Sequence, residues 1–266
     1  MHQRFVLSVP LVIVILTWLC SPTFGQGTSS GSNPQAVALA SKAFSALVGS
    51  AQINDVTLTG MATRTAGSSV ESGNIALKAL GNSLSRFDFS FSDGTRTELR
   101  NLSGATPQGF WIAPDGTTHS MASHNCVTDA VWFFPAFSAL SQLSNPNLVV
   151  TYIAAETRNG VAVQHLLFTL QSSADATGTL QRLSSEEFYL SASSYLPVAV
   201  VFNSHPDNDD LTKIPVEIDF GQYQVVGGVQ IPYQIEELLN GTPYLNITIQ
   251  SAVLNSGLSQ GDFSAQ

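Results

Sequence analysis

The sequence predicts a mainly β protein with a few α-helices, its strands forming one large curved antiparallel sheet. Three observations carry this. Short runs of alternating polarity recur along the chain. The dipeptides Asp93-Gly94, Asp115-Gly116, Asn159-Gly160, Gly227-Gly228 and Asn240-Gly241 punctuate them, and one aromatic segment breaks the rhythm at helical spacing. Such dipeptides supply the positive φ that two-residue hairpins need, so five of them argue for tight turns rather than the crossovers of an α/β nucleotide enzyme.

The chain opens with Arg4, then a mainly apolar run over residues 5–20, then small polar residues from Ser21, which is the layout of a secretory signal peptide. Residues 1–25 are read as that signal, cleaved after Gly25, and residues 26–33 as a Gly/Ser-rich leader. A retained anchor is the rival reading, but an apolar run of 16 residues is shorter than the roughly 20 that span a bilayer. Thr17, Trp18 and Leu19 stand before Cys20 where a lipoprotein signal has small residues, which argues against lipid attachment. Removing the signal leaves Cys126 as the lone cysteine, so the fold of a periplasmic or secreted protein rests here on its core and not on a disulfide.

The remaining residues, 34–266, are read as one domain, since no internal linker interrupts them and curved sheets often exceed ordinary domain size. With 10 Lys plus Arg against 19 Asp plus Glu, the formal charge is −9 and no cationic cluster is present. That excludes nucleic acid as an expected partner and equally excludes a polybasic patch for anionic lipid.

Taken in order, Asn33 caps and Pro34 begins a helix whose apolar stripe is Val37, Ala40, Phe44, Leu47 and Val48, and Gly49 ends it. From Val56 the period changes to two, with Val56, Leu58 and Ala62 on one face. Strands follow at 75–80, 86–92, 95–102, 110–113 and 117–121. Between 125 and 142 the apolar residues Val127, Ala130, Val131, Phe134, Phe137 and Leu140 recur at helical spacing, and Pro135 splits them into two short helices. Strands resume at 148–156 and 161–170, a polar loop covers 172–179, and five further strands between 187 and 255 close the meander.

Few motifs carry chemistry. Gly27-Thr28-Ser29-Ser30-Gly31 fits the serine-hydrolase pattern G-x-S-x-G but lies in the leader with no strand before it. His119, His124, Cys126 and Asp129 fall close together, yet match no established metal loop, and a buried thiol packs as a small hydrophobe. The acidic run Asp207, Asn208, Asp209, Asp210 lacks the glycine and terminal glutamate of a calcium loop, and Glu186-Glu187 point to opposite faces of a strand. Sequons stand at Asn101, Asn240 and Asn246. No catalytic residue, metal or cofactor is assigned.

The aromatic residues are ordered instead. Phe87, Phe89 and Phe91 share one strand face, and Trp132, Phe133, Phe134 and Phe137 crowd the helical interruption. Two readings stand side by side: an ordinary filled core, or a curved sheet whose concave face is too wide to fill and leaves an apolar cavity under a lid. In the second, the wall is expected from Phe87, Phe89, Phe91, Trp111, Val131, Trp132, Phe134 and Phe137.

The C-terminal stretch IPVEIDFGQYQVVGGVQIPYQIEELL, with Gly227-Gly228 before Ile231-Pro232, and the ending at Asp262-Phe263 resemble the LolA-like lipoprotein-carrier superfamily. The strands and Asp-Gly turns of 85–94 and 110–116 are similar as well, so the resemblance covers most of residues 34–266. It implies an unclosed half β-barrel with an N-terminal helix and a helical lid. One departure is visible: the carriers have an Arg-Pro step before an aromatic strand, its arginine holding the lid shut, whereas here Arg86 stands before Phe87 without the proline.

The functional expectation is therefore an exported, non-enzymatic binding protein for a lipid, an acyl chain, a lipoprotein anchor or another apolar small molecule. A structural or sensory β domain docking an envelope protein, and a hydrolase using Cys126 with His119 or His124, are the alternatives.

Overall fold

The structure, a computed structural model, describes residues 31–104, 106–128 and 130–264. The signal segment, most of the leader with its G-x-S-x-G run, and Asp129 lie outside the described residues. Helix α1 (Pro34–Val48) starts where the capping rule puts it, with the Asn33 side chain accepting from the Ala36 N–H at 3.0 Å. Its buried face is Ala36, Ala40, Ala43, Leu47 and Val48. Three of these five are alanines, so the helix axis can approach the sheet closely. Val37 and Phe44, assigned to this stripe by spacing, sit half-exposed at its margin.

Thirteen strands follow: β1 (Asp55–Ala66), β2 (Ser69–Leu80), β3 (Leu84–Phe91), β4 (Gly94–Asn101), β5 (Gln108–Ile112), β6 (Thr118–Met121), β7 (Leu148–Arg158), β8 (Val161–Leu170), β9 (Glu186–Ser191), β10 (Pro197–Ser204), β11 (Ile214–Val226), β12 (Val229–Leu239) and β13 (Thr242–Leu254). A short helix α2 (Thr179–Leu183) stands in the loop before β9. They form one sheet in the order β6-β5-β4-β3-β2-β1-β13-β12-β11-β10-β9-β8-β7, and every pairing is antiparallel. β6 and β7 are the two edges, so the sheet is curved but unclosed. Asn159-Gly160, Gly227-Gly228 and Asn240-Gly241 each hold positive φ at both residues of a two-residue turn, which matches the right-handed twist of the strands they join.

Two meanders, β1–β6 and β7–β13, are joined by the β1·β13 pairing, whose register runs from Val56↔Leu254 to Arg64↔Leu245 with a shift at Thr59/Gly60. A Cβ on Gly60 would stand 2.1 Å from the Thr248 carbonyl oxygen, so glycine is what allows the two strands to meet there. The open edge of β7 is partly covered by the chain entering α1: Asn33 N–H donates to the Val150 carbonyl at 2.8 Å, and Val150 N–H donates to Ser32 Oγ at 3.1 Å.

The segment 122–147 crosses the sheet and lies with α1 against its inner face. Where two short helices joined near Phe134 are expected from spacing, it contains three short 3-10 helices, at Ser123–Cys126, Pro135–Phe137 and Ala139–Gln142. The reason is burial on all sides. Val131, Phe133, Phe134 and Leu140 are each 0% exposed, so no polar face exists to make an amphipathic helix, and Pro135 removes a backbone donor. Local bonds serve the backbone instead: Phe134 N–H to the Val131 carbonyl, Phe137 N–H to the Phe134 carbonyl, and Ser138 Oγ, which donates to the Pro135 carbonyl and accepts from Leu140 N–H. No helix among the described residues is long and apolar enough to cross a membrane.

Candidate ligand cavity

Strand alternation decides what faces inward. On β3, Phe87, Phe89 and Phe91 point to the inner face. Their cross-strand neighbours on β4, Glu98, Arg96 and Gly94, share that face, and Trp111 of β5 stands opposite Glu98. Arg64 of β1 stands opposite Glu71 of β2 and Leu245 of β13, and Leu245 stands opposite Glu237 of β12. The inner face is therefore apolar under α1 and the crossing segment, but carries charge toward β4 and the adjoining turns.

The crossing segment docks on β3 through Trp132 and Phe133. The Trp132 ring stacks on Phe87 at 5.4 Å between centroids, and Phe133 meets the same ring edge-on at 5.3 Å. It does not fill the space. A cavity of about 260 Å³ is lined by Phe87, Phe89, Phe91, Trp111, Trp132 and Arg64 among others. A second of about 350 Å³ extends toward Phe202, Val216 and Ile218 on the other meander. The two share Glu98, Arg100, Trp111, Trp132, Glu237 and Tyr244, so they are contiguous parts of one hollow between the sheet halves. The second by itself reaches the size range of small-molecule sites.

Of the eight wall residues expected from the sequence, Phe87, Phe89, Phe91, Trp111 and Trp132 line this hollow. Val131 and Phe134 are fully buried in the packed core, Phe134 edge-on to Phe137 at 5.0 Å. Phe137 borders a different cavity, of about 400 Å³, on the opposite side of the crossing segment with Leu148, Phe168 and Leu170. The sequence reading missed the charged part of the wall: Arg64, Arg96, Glu98, Arg100 and Glu237. The signal for four of these was present, since Arg64 shares a strand face with Ala62 and Arg96, Glu98 and Arg100 alternate through β4. Only the strand pairing places them beside the aromatics.

Each arginine has its own carboxylate. Arg64 pairs with Glu71 at 2.5 Å, Arg96 with Asp93 at 2.6 Å and Arg100 with Glu98 at 2.8 Å. Arg100 also donates to the Thr128 carbonyl at 3.4 Å, tying β4 to the crossing segment. Burial works against the charge on Arg100, and Glu98 beside it more than compensates, so its pKa is raised. Arg86 does not hold the crossing segment: it pairs with Asp88 at 2.7 Å on the other face of β3. Burial, reinforced by the charge of Glu98 and opposed by Arg100, pushes Glu237 up to about 7.

The other candidates separate. His119 stacks on Trp111 at 3.8 Å, and His124 Nε2 donates to the Pro206 carbonyl at 3.0 Å. Cys126 is buried against Gly109 and bonds the Ala122 carbonyl, and burial raises its pKa, so the contacts present pair no imidazole with the thiol. The acidic loop is internally satisfied: Asp209 accepts from Leu211 and Thr212, and Asp210 pairs with Arg182 at 2.8 Å. Among the described residues no group of three or more His, Cys, Asp or Glu is placed to hold a metal ion.

The chain thus forms a half-barrel whose inner face is partly covered by a helix and a crossing segment, with space left between. No family model matches the chain, and no curated protein does. Solved structures do. The chain is similar to a putative outer membrane lipoprotein-sorting protein domain from Vibrio parahaemolyticus, at 13% identity and TM-score 0.55, covering 86% of this chain and 96% of that one. A DUF1329 family protein from Desulfovibrio piger aligns at 13% identity and TM-score 0.55 over 88% of this chain and 98% of that one. A LolA superfamily protein from Nitrosomonas europaea aligns at 10% identity and TM-score 0.55, covering 86% and 97%. The fold of this chain is LolA-like.

Proposed function

We propose that this protein is an exported, non-enzymatic carrier that holds an amphiphile in the hollow, its apolar chain against Phe87, Phe89, Phe91, Trp111 and Trp132. The observation that carries this reading is the unfilled space itself. Phe202, Val216 and Ile218 from one meander and the β3 phenylalanines from the other border contiguous cavities rather than interlocking. Apolar burial worth about 0.8 kcal/mol per CH₂ would give a long chain several kcal/mol net of the ordering cost. The similarity to a putative outer membrane lipoprotein-sorting domain from Vibrio parahaemolyticus supports a ligand with an acyl chain. Holding an acyl chain in a cavity needs no catalytic group.

The test is native mass spectrometry of the protein purified without detergent, followed by solvent extraction. A co-purifying amphiphile at near-stoichiometric amount is the expected result. An empty protein that fails to bind a fluorescent fatty-acyl probe, or binds it with a response unchanged by Trp132→Ala, would overturn the reading.

A further inference from the structure

Resting on that carrier reading, we propose that the polar end of the hollow, centred on Glu237, recognises an organic ammonium head group. The charge arrangement leads there. Every arginine bordering the first cavity is already engaged by a carboxylate of its own: Arg64 by Glu71, Arg96 by Asp93, and Arg100 by Glu98. Glu237 is left over. It makes no hydrogen bond or ion pair to any described residue, although it stands in the stretch shared by both cavities. The opposing charge beside it, Arg100, is already bonded to Glu98, so the carboxylate is only partly compensated there, and a cationic ligand removes the remaining cost.

The surrounding rings fit the same ligand. Glu237 shares the hollow with Trp111, Trp132 and Tyr244. Trp132, 7% exposed, has one face covered by Phe87, and Trp111, 44% exposed at the mouth of the cavity, has one face covered by His119. Indole faces attract ammonium groups through their quadrupole, and most strongly when water is excluded. An anionic head group would meet Glu98 and Glu237 together; each arginine of the wall already has a carboxylate, and Arg96 Nε is left without a hydrogen bond.

Protons are coupled to this site. The charged and titratable groups that line the two cavities with Glu237 are Glu98, Arg100 and Arg96 of β4, Arg64 of β1, which is paired to Glu71 of β2, Tyr244 of β13, and, in the second cavity, His205 and Asp207. Burial beside Glu98 holds Glu237 up to about 7, so near neutral pH a share of the molecules carries it protonated. A bound cation favours the carboxylate, so binding releases a proton and weakens as the pH falls.

The experiment is isothermal titration of the full protein with three decyl probes that differ only in the head: decyltrimethylammonium, decyl sulfonate and decanol, all below micelle formation, with tetramethylammonium as a probe without a chain. The expected result at pH 8 is decyltrimethylammonium binding about tenfold or more tighter than either other decyl probe, with that ratio falling toward one at pH 5.5 and in Glu237→Gln. Equal affinity for all three, or tightest binding of the sulfonate, overturns the ammonium site and leaves the carrier reading standing. Binding of tetramethylammonium with no decyl probe bound does the reverse. No binding of any probe overturns both. The head-group ratio of the unmodified protein decides the matter even if Glu237→Gln folds poorly.

Discussion

Asp55, at the start of β1, is only 2% exposed, and both its oxygens accept hydrogen bonds from the segment after β13. Ser256 N–H and Ser256 Oγ donate to Oδ1 at 2.7 and 2.8 Å, and Gly257 and Leu258 N–H donate to Oδ2 at 3.0 and 3.3 Å. Burial works against the charge, but these bonds outweigh it and hold the pKa below the ordinary 3.8. A lowered folded pKa gives stability that is present above the unfolded value and lost as the pH falls through the folded one. Asp55→Asn should therefore cost about 2–4 kcal/mol at pH 7, measured by urea denaturation, with the difference from the parent protein shrinking at pH 3. Glu237 has the opposite sign. Its pKa is raised from 4.5 to about 7, so the folded state binds more protons than the unfolded one in that window, and stability falls as the pH climbs through it. Glu237→Gln should be more stable than the parent at pH 8, by of order 3 kcal/mol at most, and indistinguishable at pH 4. Equal stabilities at pH 8 would show that the carboxylate is satisfied there.

At the scale of the element, the crossing segment 122–147 determines how much of the inner face is covered. It is anchored by side chains that enter the core from a backbone of short turns, among them Phe134, 0% exposed and edge-on to Phe137. Phe134→Ala should cost about 3–5 kcal/mol, read as a lowered unfolding midpoint in guanidinium. Because Phe134 lies in the packed core and Trp132 borders the hollow, Trp132→Ala should change probe binding far more than Phe134→Ala does at temperatures where both stay folded. The sequence displayed this segment's aromatic content and the break at Pro135. It did not display the 3-10 geometry, because spacing alone cannot tell a helix with one buried face from a segment buried all round.

For the whole molecule, the pairing of β1 with β13 is the join on which the half-barrel depends. It links residues separated by most of the chain, at Val56↔Leu254 for example, and sits at the centre of the strand order. Without β13, the β1–β6 and β7–β12 meanders have no ladder between them. Ending the chain before Thr242 should abolish the single cooperative thermal transition, measured by circular dichroism, and expose surface that binds a hydrophobic dye. A cooperative transition retained near the parent midpoint would mean that the packing of α1 and the crossing segment suffices to hold the halves together. So distant a pairing also predicts folding on the slow side, in milliseconds to seconds.

The sequence alone determined the local pieces: the capped helix from Pro34, the strand ladder, the turns at Asn159-Gly160, Gly227-Gly228 and Asn240-Gly241, and the shared face of Phe87, Phe89 and Phe91. These follow from periodicity and from the φ angles glycine and asparagine tolerate, which are properties of neighbouring residues. The tertiary structure decided the rest. It sent Val131 and Phe134 into the core and Phe137 to another cavity, while leaving Trp111 and Trp132 at the hollow. It gave Arg64, Arg96 and Arg100 a carboxylate each and left Glu237 without an ion pair of its own. Whether a curved sheet encloses space, and which charge faces it unpaired, depends on register between strands far apart in the chain, and no local pattern encodes that register.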